Sequence, residues 1–213
     1  MPRRPVTRSR TAAERKLQAI GPPEYLDDEQ VEQRAGTRGA QVVHASVYSN
    51  SNGEDVAVAV CYSDGLPPFG VSLTVDLCRK AGLIAPDSDE PFRMSIETGI
   101  LYGCGLVAER ALTSDLCVIL HTNSDFFVHG FYGLNRIYLS DEHRRHAVLR
   151  LWSVIQHIGV FNVYNCYENE TMPKAMDMAH RVMHQASLLR LASEDDGSQD
   201  DRPFWSDRED DDC

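Results

Sequence analysis

The sequence predicts an α/β fold: a mixed five-stranded sheet, three antiparallel strands followed by two parallel ones, flanked by helices. Three observations lead there. Three short alternating or β-branched runs crowd into residues 42–77, close enough together for a meander. Two further apolar runs, 116–121 and 160–167, are separated by long helical stretches, the spacing of a parallel crossover. Helical periodicity also precedes the fourth run and follows the fifth.

Val42–Ser49 is short and apolar and reads as the first strand. In Asp55–Tyr62, Val56, Val58 and Val60 alternate with alanines as a second strand. After Gly65-Leu66-Pro67-Pro68 a third alternating strand is expected over Gly70–Leu77. Ser95–Leu112 reads as a helix, with Ile96, Ile100, Leu101, Cys104 and Val107 or Ala108 along one face and Ser95 as its cap. Leu116–His121 is a continuous apolar strand of the kind buried on both sides. Helices are expected over Ser124–Tyr138 and over Asp141–Ile158, the second capped by Ser140 and ended by Gly159. Val160–Tyr167 is the last strand. Thr171–Ala186 closes the chain as a helix, with Pro173 in its first turn, where proline is tolerated.

Around this core, 40–190, the composition changes. Residues 1–39 form a Pro-, Gly- and Arg-interrupted arm, expected to be mostly disordered apart from a short helix near Asp27–Arg34. Its start carries Arg3, Arg4, Arg8, Arg10, Arg15 and Lys16 against Glu14 alone. Residues 191–213 read as an acidic disordered tail containing the pair Phe204-Trp205. The net charge is −11, so tight sequence-independent phosphate binding by the body is disfavoured, because that term comes from Lys and Arg. No apolar run is long enough to span a membrane and none opens the chain as a signal peptide. The expected setting is therefore intracellular, nucleus or cytoplasm, and not secreted. The six cysteines show no paired spacing and read as buried free thiols.

The order of elements, βββ-α-β-α-α-β-α, resembles type 1 ribonucleases H, and four local stretches strengthen the likeness. Val47-Tyr48-Ser49-Asn50-Ser51 stands where that family has an aromatic-Thr-Asp-Gly-Ser run. Arg93-Met94-Ser95-Ile96-Glu97 stands near its Arg-x-Glu helix start. Val118-Ile119-Leu120-His121-Thr122-Asn123-Ser124, with Val128 and Gly130, is similar to its apolar strand, Thr-Asp-Ser and following helix. Met176-Asp177-Met178-Ala179 is similar to its last helix.

What the resemblance implies is a pocket of four carboxylates binding two Mg²⁺ ions, which activate water and stabilise the leaving oxygen as the RNA strand of an RNA–DNA hybrid is cut. Here the four positions read Asn50, Glu97, Asn123 and Asp177, so half the formal charge is gone. Mg²⁺ requires hard charged oxygens, and two such ions in a half-neutralised pocket repel each other. The expectation is a degenerate site with Glu97 and Asp177 as the retained acids. No cofactor is expected beyond weak Mg²⁺ or Mn²⁺ at those two. The chain also lacks the family's histidine in Cys166–Thr171, and Ser140–Arg145 leaves no room for its basic hybrid-gripping protrusion. Three readings stay open: a pseudo-nuclease that binds nucleic acid, RNA or an RNA/DNA hybrid; a protein-interaction module using the aromatic helix 124–138 or the charged tails; and an active metal-dependent hybrid ribonuclease with atypical ligands.

Other features carry less. Glu54, Asp55 and Asp125 could substitute as ligands, but a turn and a helix start explain them. His143 with His146, and His180 with His184, have helical ligand spacings without a third ligand, and read as solvated histidines. Phe126, Phe127, Phe131 and Tyr132 read as core.

Overall fold

A computed structural model describes residues 20–165 and 169–196. The basic start of the chain, Cys166, and the Phe204-Trp205 pair lie outside the described residues. The sheet has five strands: β1 (Val42–Ser51), β2 (Val56–Tyr62), β3 (Phe69–Ser72), β4 (Cys117–Thr122) and β5 (Phe161–Asn165), in the order β3-β2-β1-β4-β5. β1–β2 and β2–β3 are antiparallel; β1–β4 and β4–β5 are parallel. This is the mixed sheet the sequence predicts.

The pleat divides β1 between two layers. Ala45 and Val47 point into the main core with Val58, Val60, Leu120 and Val163, beneath α3 (Ile96–Ser114) and α5 (Glu142–Ile155). On the other face, α6 (Met172–Asp196) lies across β1, β2 and β3, with Ala175 and Ala179 packed on Ala59 and Cys61. The remainder of that face is covered by α1 (Asp28–Arg38), whose Val31 and Ala35, with Leu26, bury Cys117, Ile119 and Val160.

α1 stands where a short helix was expected in the N-terminal arm. The N-terminal segment from Ile20 onward packs on the domain, and the helix is longer than Asp27–Arg34. Asp27 and Gln30 form a reciprocal capping box, and Gly39 ends the helix in the left-handed region (φ 65°). Only three apolar residues bury here, too few for a visible helical period in sequence.

Two other elements differ from expectation. The strand expected over Gly70–Leu77 ends at Ser72; Thr74 then accepts the Leu77 N–H and starts α2 (Val75–Lys80), with Asp76 and Arg79 placed to suit the helix dipole. The helix expected over Ser124–Tyr138 is shorter, α4 (Asp125–Phe131). Gly133 (φ 71°) turns the chain, and Asn135 Oδ1 accepts from the N–H groups of Ile137 and Tyr138 to start a 3₁₀ turn (Tyr138–Ser140). Asp141, rather than Ser140, caps α5, and α6 runs ten residues beyond Ala186.

Candidate functional site

The candidate site lies where β1 and β4 end side by side and α3 begins. The first contact is between the strand ends. Asn123, just beyond β4, accepts from the Ser49 N–H through Oδ1 (3.1 Å) and donates to the Ser49 carbonyl through Nδ2 (2.9 Å). The side chain thus continues the parallel β1–β4 ladder by one step. Asn50, half-buried, shares the sheet face of Ser46 and Tyr48, and its Oδ1 accepts from the Ser51 N–H at 2.8 Å.

α3 supplies the acid. Ser95 caps the helix by accepting the Thr98 N–H, which puts Glu97 in the first turn beside the end of β4. Gly99 and Gly103 allow the helix to lie directly on Ser49 and Val47, since a Cβ at either would collide with those side chains. Glu97 Oε1 accepts from the Ser124 hydroxyl at 2.7 Å, and Ser124 Oγ in turn accepts the Phe127 N–H as the cap of α4. Glu97 Oε2 is buried and has no hydrogen-bond partner among the described residues. Burial raises the Glu97 pKa above its ordinary 4.5, only partly opposed by the Ser124 hydrogen bond and the Arg144 charge.

Two residues the sequence did not single out complete the surroundings. The Tyr138 ring is fully buried and its hydroxyl, like Thr122 Oγ1, has no hydrogen-bond partner among the described residues. Burial, with the Glu97 charge second, pushes the Tyr138 pKa well up. The Arg144 guanidinium lies over the rings of Tyr138 (5.2 Å) and Phe126 (5.6 Å), and 3.6 Å from Asp141. Tyr138 and Arg144 are more than forty residues from Glu97 in sequence, with β4 and α4 between, so no local spacing marks them.

Glu97 and Asn123 are therefore brought together through Ser49 and Ser124, whereas the pleat of β1 puts Asn50 on the opposite sheet face, with Ser46 and Tyr48. Asp177 lies in the second turn of α6. It is exposed and sits about two hundred degrees around α6 from the buried Ala175, on the helix face turned away from the sheet. Of the substitute acids, Glu54 and Asp55 pair with Arg190, and Asp125 lies 3.4 Å from His129 Nδ1. His143 is buried, not solvated: Nδ1 accepts the Ala85 N–H and Nε2 faces the Glu90 carbonyl. Phe127, Phe131 and Tyr132 are core, whereas Phe126 is partly exposed. Cys61, Cys78, Cys104 and Cys117 are buried free thiols.

The strand order and the crossover helices decide the architecture. The fold is that of ribonuclease H. Among solved structures, ribonuclease H1 from the halophilic archaeon Halobacterium salinarum NRC-1 superposes with a TM-score of 0.51, covering 68% of this chain and 98% of its own, at 15% identity. The N-terminal RNase H domain of rv2228c from Mycobacterium tuberculosis, solved as a fusion with maltose-binding protein, gives 0.50, covering 70% and 96%, at 12% identity. No protein-family model matches the chain, and no curated protein matches it.

The ribonuclease H likeness carries an expectation of two Mg²⁺ ions, and the donor set does not fit them. The site offers one carboxylate whose ionisation burial opposes and one adjoining amide, Asn123, whose oxygen already accepts a backbone N–H bond, as the Asn50 oxygen does on the other face of the sheet. Among the described residues no group of three or more His, Cys, Asp or Glu gathers to hold a metal. Mg²⁺ sheds its waters only for well-placed charged oxygens. What this arrangement can do is present amide, hydroxyl and aromatic groups at a sheet edge. Among the described residues no helix is long and apolar enough to cross a membrane.

Proposed function

We propose that this ribonuclease H-fold domain is a pseudo-nuclease that binds nucleic acid, an RNA strand or an RNA/DNA hybrid, without efficient cleavage. The observation that carries the loss of cleavage is the pairing of Asn123 with both backbone groups of Ser49. That bond pattern needs a donor and an acceptor on one side chain, which a carboxylate cannot supply. The pocket is built around an amide, and the fold supports the ligand class because the two similar structures are ribonucleases H. Fold likeness alone leaves function to the site. Affinity then rests on the basic start of the chain and on polar pocket groups, since the acidic body repels phosphate.

Fluorescence anisotropy with a labelled RNA/DNA hybrid tests this, using the full chain in EDTA and again in Mg²⁺. The expected result is salt-sensitive binding that is equal in both, with the RNA intact on a gel. Cleavage lost in Glu97→Gln overturns the pseudo-nuclease half; no binding at low salt overturns the nucleic-acid half.

One observation favours a second reading, a protein-docking surface. Leu134 (74%) and Ile137 (73%) are exposed in the turn that follows α4, while Arg144 and Arg145 are neutralised by Asp141 and Glu142. An apolar, charge-balanced rim suits a protein better than a phosphate chain. A nuclease-resistant partner lost in Leu134→Asp/Ile137→Asp would establish it.

A further inference from the structure

α6 runs past the edge of the sheet it covers. Asn52, in the turn between β1 and β2, meets Ser187, and the helix continues from there to Asp196. Its last turns carry Leu188 (52% exposed) and Leu191 (58%) into solvent. We propose that the outward face of α6 is a docking surface for the acidic, aromatic end of this same chain. Phe204-Trp205 sits on Leu188 and Leu191, and the acids from Asp207 to Asp212 lie along His184, Arg181 and Lys174. This surface is separate from the site at Glu97 and does not rest on the nucleic-acid reading.

Helical spacing joins the pieces of this surface into one stripe. Lys174, Asp177, Arg181, His184, Leu188 and Leu191 follow one another at intervals of three or four residues. All are exposed, opposite the side on which Ala175 and Ala179 are buried. The end of the stripe is apolar and the turns before it are basic. Between Met172 and Ala192 the cations Lys174, Arg181 and Arg190 stand against a single acid, Asp177. Arg190 is taken up by Glu54 and Asp55, so the cations of the outward stripe are Lys174 and Arg181. Residues 194–213 have the complementary pattern: ten acids against Arg202 and Arg208, with Phe204-Trp205 as their only aromatic residues and five of the acids following Trp205. A chain that doubles back along α6 brings its aromatic pair to the leucines first and its last acids to the cations next.

The length of chain suits this return. Phe204 follows Asp196 by eight residues, a reach of up to about 26 Å, whereas Leu191 and Leu188 lie only about 8 and 12 Å back along the helix axis. Asp212 follows Trp205 by seven more, up to about 23 Å, and Lys174 is about 21 Å from Leu188 along the axis. A tether this short holds the segment at an effective concentration on the order of millimolar, which favours the chain's own tail over that of a second copy. Two copies of the stripe itself would set like charges against each other. Apolar contact supplies most of the attraction, because large aromatic rings and exposed leucines both leave water. The exposed ion pairs fix direction more than strength. Docked, the tail occupies the cations of this face, and another anionic partner reaches them only by displacing it.

Trp205 reports on the contact directly, since Trp152 is the only other tryptophan and is buried. Emission and acrylamide quenching are measured on the full chain, and the Trp205 signal is the difference from the matching Trp205→Phe protein. In wild type, Trp205 is expected to emit to the blue of indole in water and to be shielded from acrylamide at every protein concentration. Leu188→Asp/Leu191→Asp should shift that emission to the red and raise the quenching constant several-fold. Where circular dichroism shows helix lost in this variant, Lys174→Glu/Arg181→Glu decides, because it reverses the charge of the stripe and leaves the leucines in place. A solvent-like Trp205 in wild type, or unchanged shielding in the deciding variant, overturns the proposal. So does shielding that fades on dilution, which would assign the tail to a second copy. Shielding lost in Arg3→Gln/Arg4→Gln/Arg8→Gln/Arg10→Gln would place the tail on the basic arm and overturn it equally.

Discussion

Ser49 is held by Asn123 in the way one strand residue holds another, with N–H to Oδ1 at 3.1 Å and C=O to Nδ2 at 2.9 Å. The arrangement tells an amide from an acid. Asn123→Asp keeps the acceptor, loses the donor, and turns a carboxylate oxygen toward the Ser49 carbonyl. We expect a loss of about 1–3 kcal/mol at neutral pH, measured by urea denaturation. The loss should shrink in acid, where a protonated Asp can donate again. Equal stability of the two proteins at neutral pH would show that the bond pair does not hold the strand ends.

Glu97 gives the molecule an acid-favouring element. Its pKa is raised, chiefly by burial. A carboxyl with a raised folded-state pKa takes up protons more readily folded than unfolded. Its contribution to stability is therefore complete below the ordinary carboxylate pKa and is lost as pH climbs through the raised value. Glu97→Gln keeps the Ser124 hydrogen bond and removes the ionisation. Unfolding free energies at pH 4 and pH 7 should show the variant gaining on wild type as pH rises. A constant difference would contradict the burial argument.

The legibility of this chain follows the distance over which each signal acts. β1, β2, β4 and the α3 cap at Ser95 are written in neighbouring residues, by alternation, by an unbroken apolar run and by a cap, and they appear within two residues of expectation. The neighbourhood of Glu97 and Asn123 could be anticipated because one begins an element and the other follows one. Asp177 was placed by a motif on a helix, but motif position does not fix rotation, and the burial of Ala175 and Ala179 turns it outward. Ser124, Tyr138 and Arg144 acquire their roles only through contacts made across the chain. His44 and His121 meet because β1 and β4 pair in one register, with Ser46 opposite His121, and nothing local in either strand announces it.

Close approach of α3 to β1 predicts opposite outcomes for two neighbouring helical glycines. A methyl at Gly103 would sit 2.5 Å from Val47 Cγ1 and 3.3 Å from Val58 Cγ2, both fully buried. Overpacking of that kind costs about 1–3 kcal/mol, outweighing the gain of roughly 1 kcal/mol in helix propensity. Gly105 faces open space, so Gly105→Ala keeps the gain alone. Thermal melts should rank Gly105→Ala above wild type and Gly103→Ala below it. The reverse ranking would mean α3 lies further from the sheet.

His143, in the first turn of α5, pins the long connection between α2 and α3. Nδ1 accepts the Ala85 N–H at 3.1 Å, so Nε2 carries the proton and donates to the Glu90 carbonyl at 2.9 Å. Phe92 meets the ring edge-on at 5.3 Å. His143→Ala removes both bonds and leaves the two backbone groups to water. Because the connection has no ladder of its own to fall back on, the effect should be local first: faster limited proteolysis within residues 83–94, ahead of any cut in the strands. A global loss of about 1–3 kcal/mol should accompany it. Unaltered proteolysis in that segment would show that packing of Leu83 and Ile84 on the core, rather than the histidine, secures the connection.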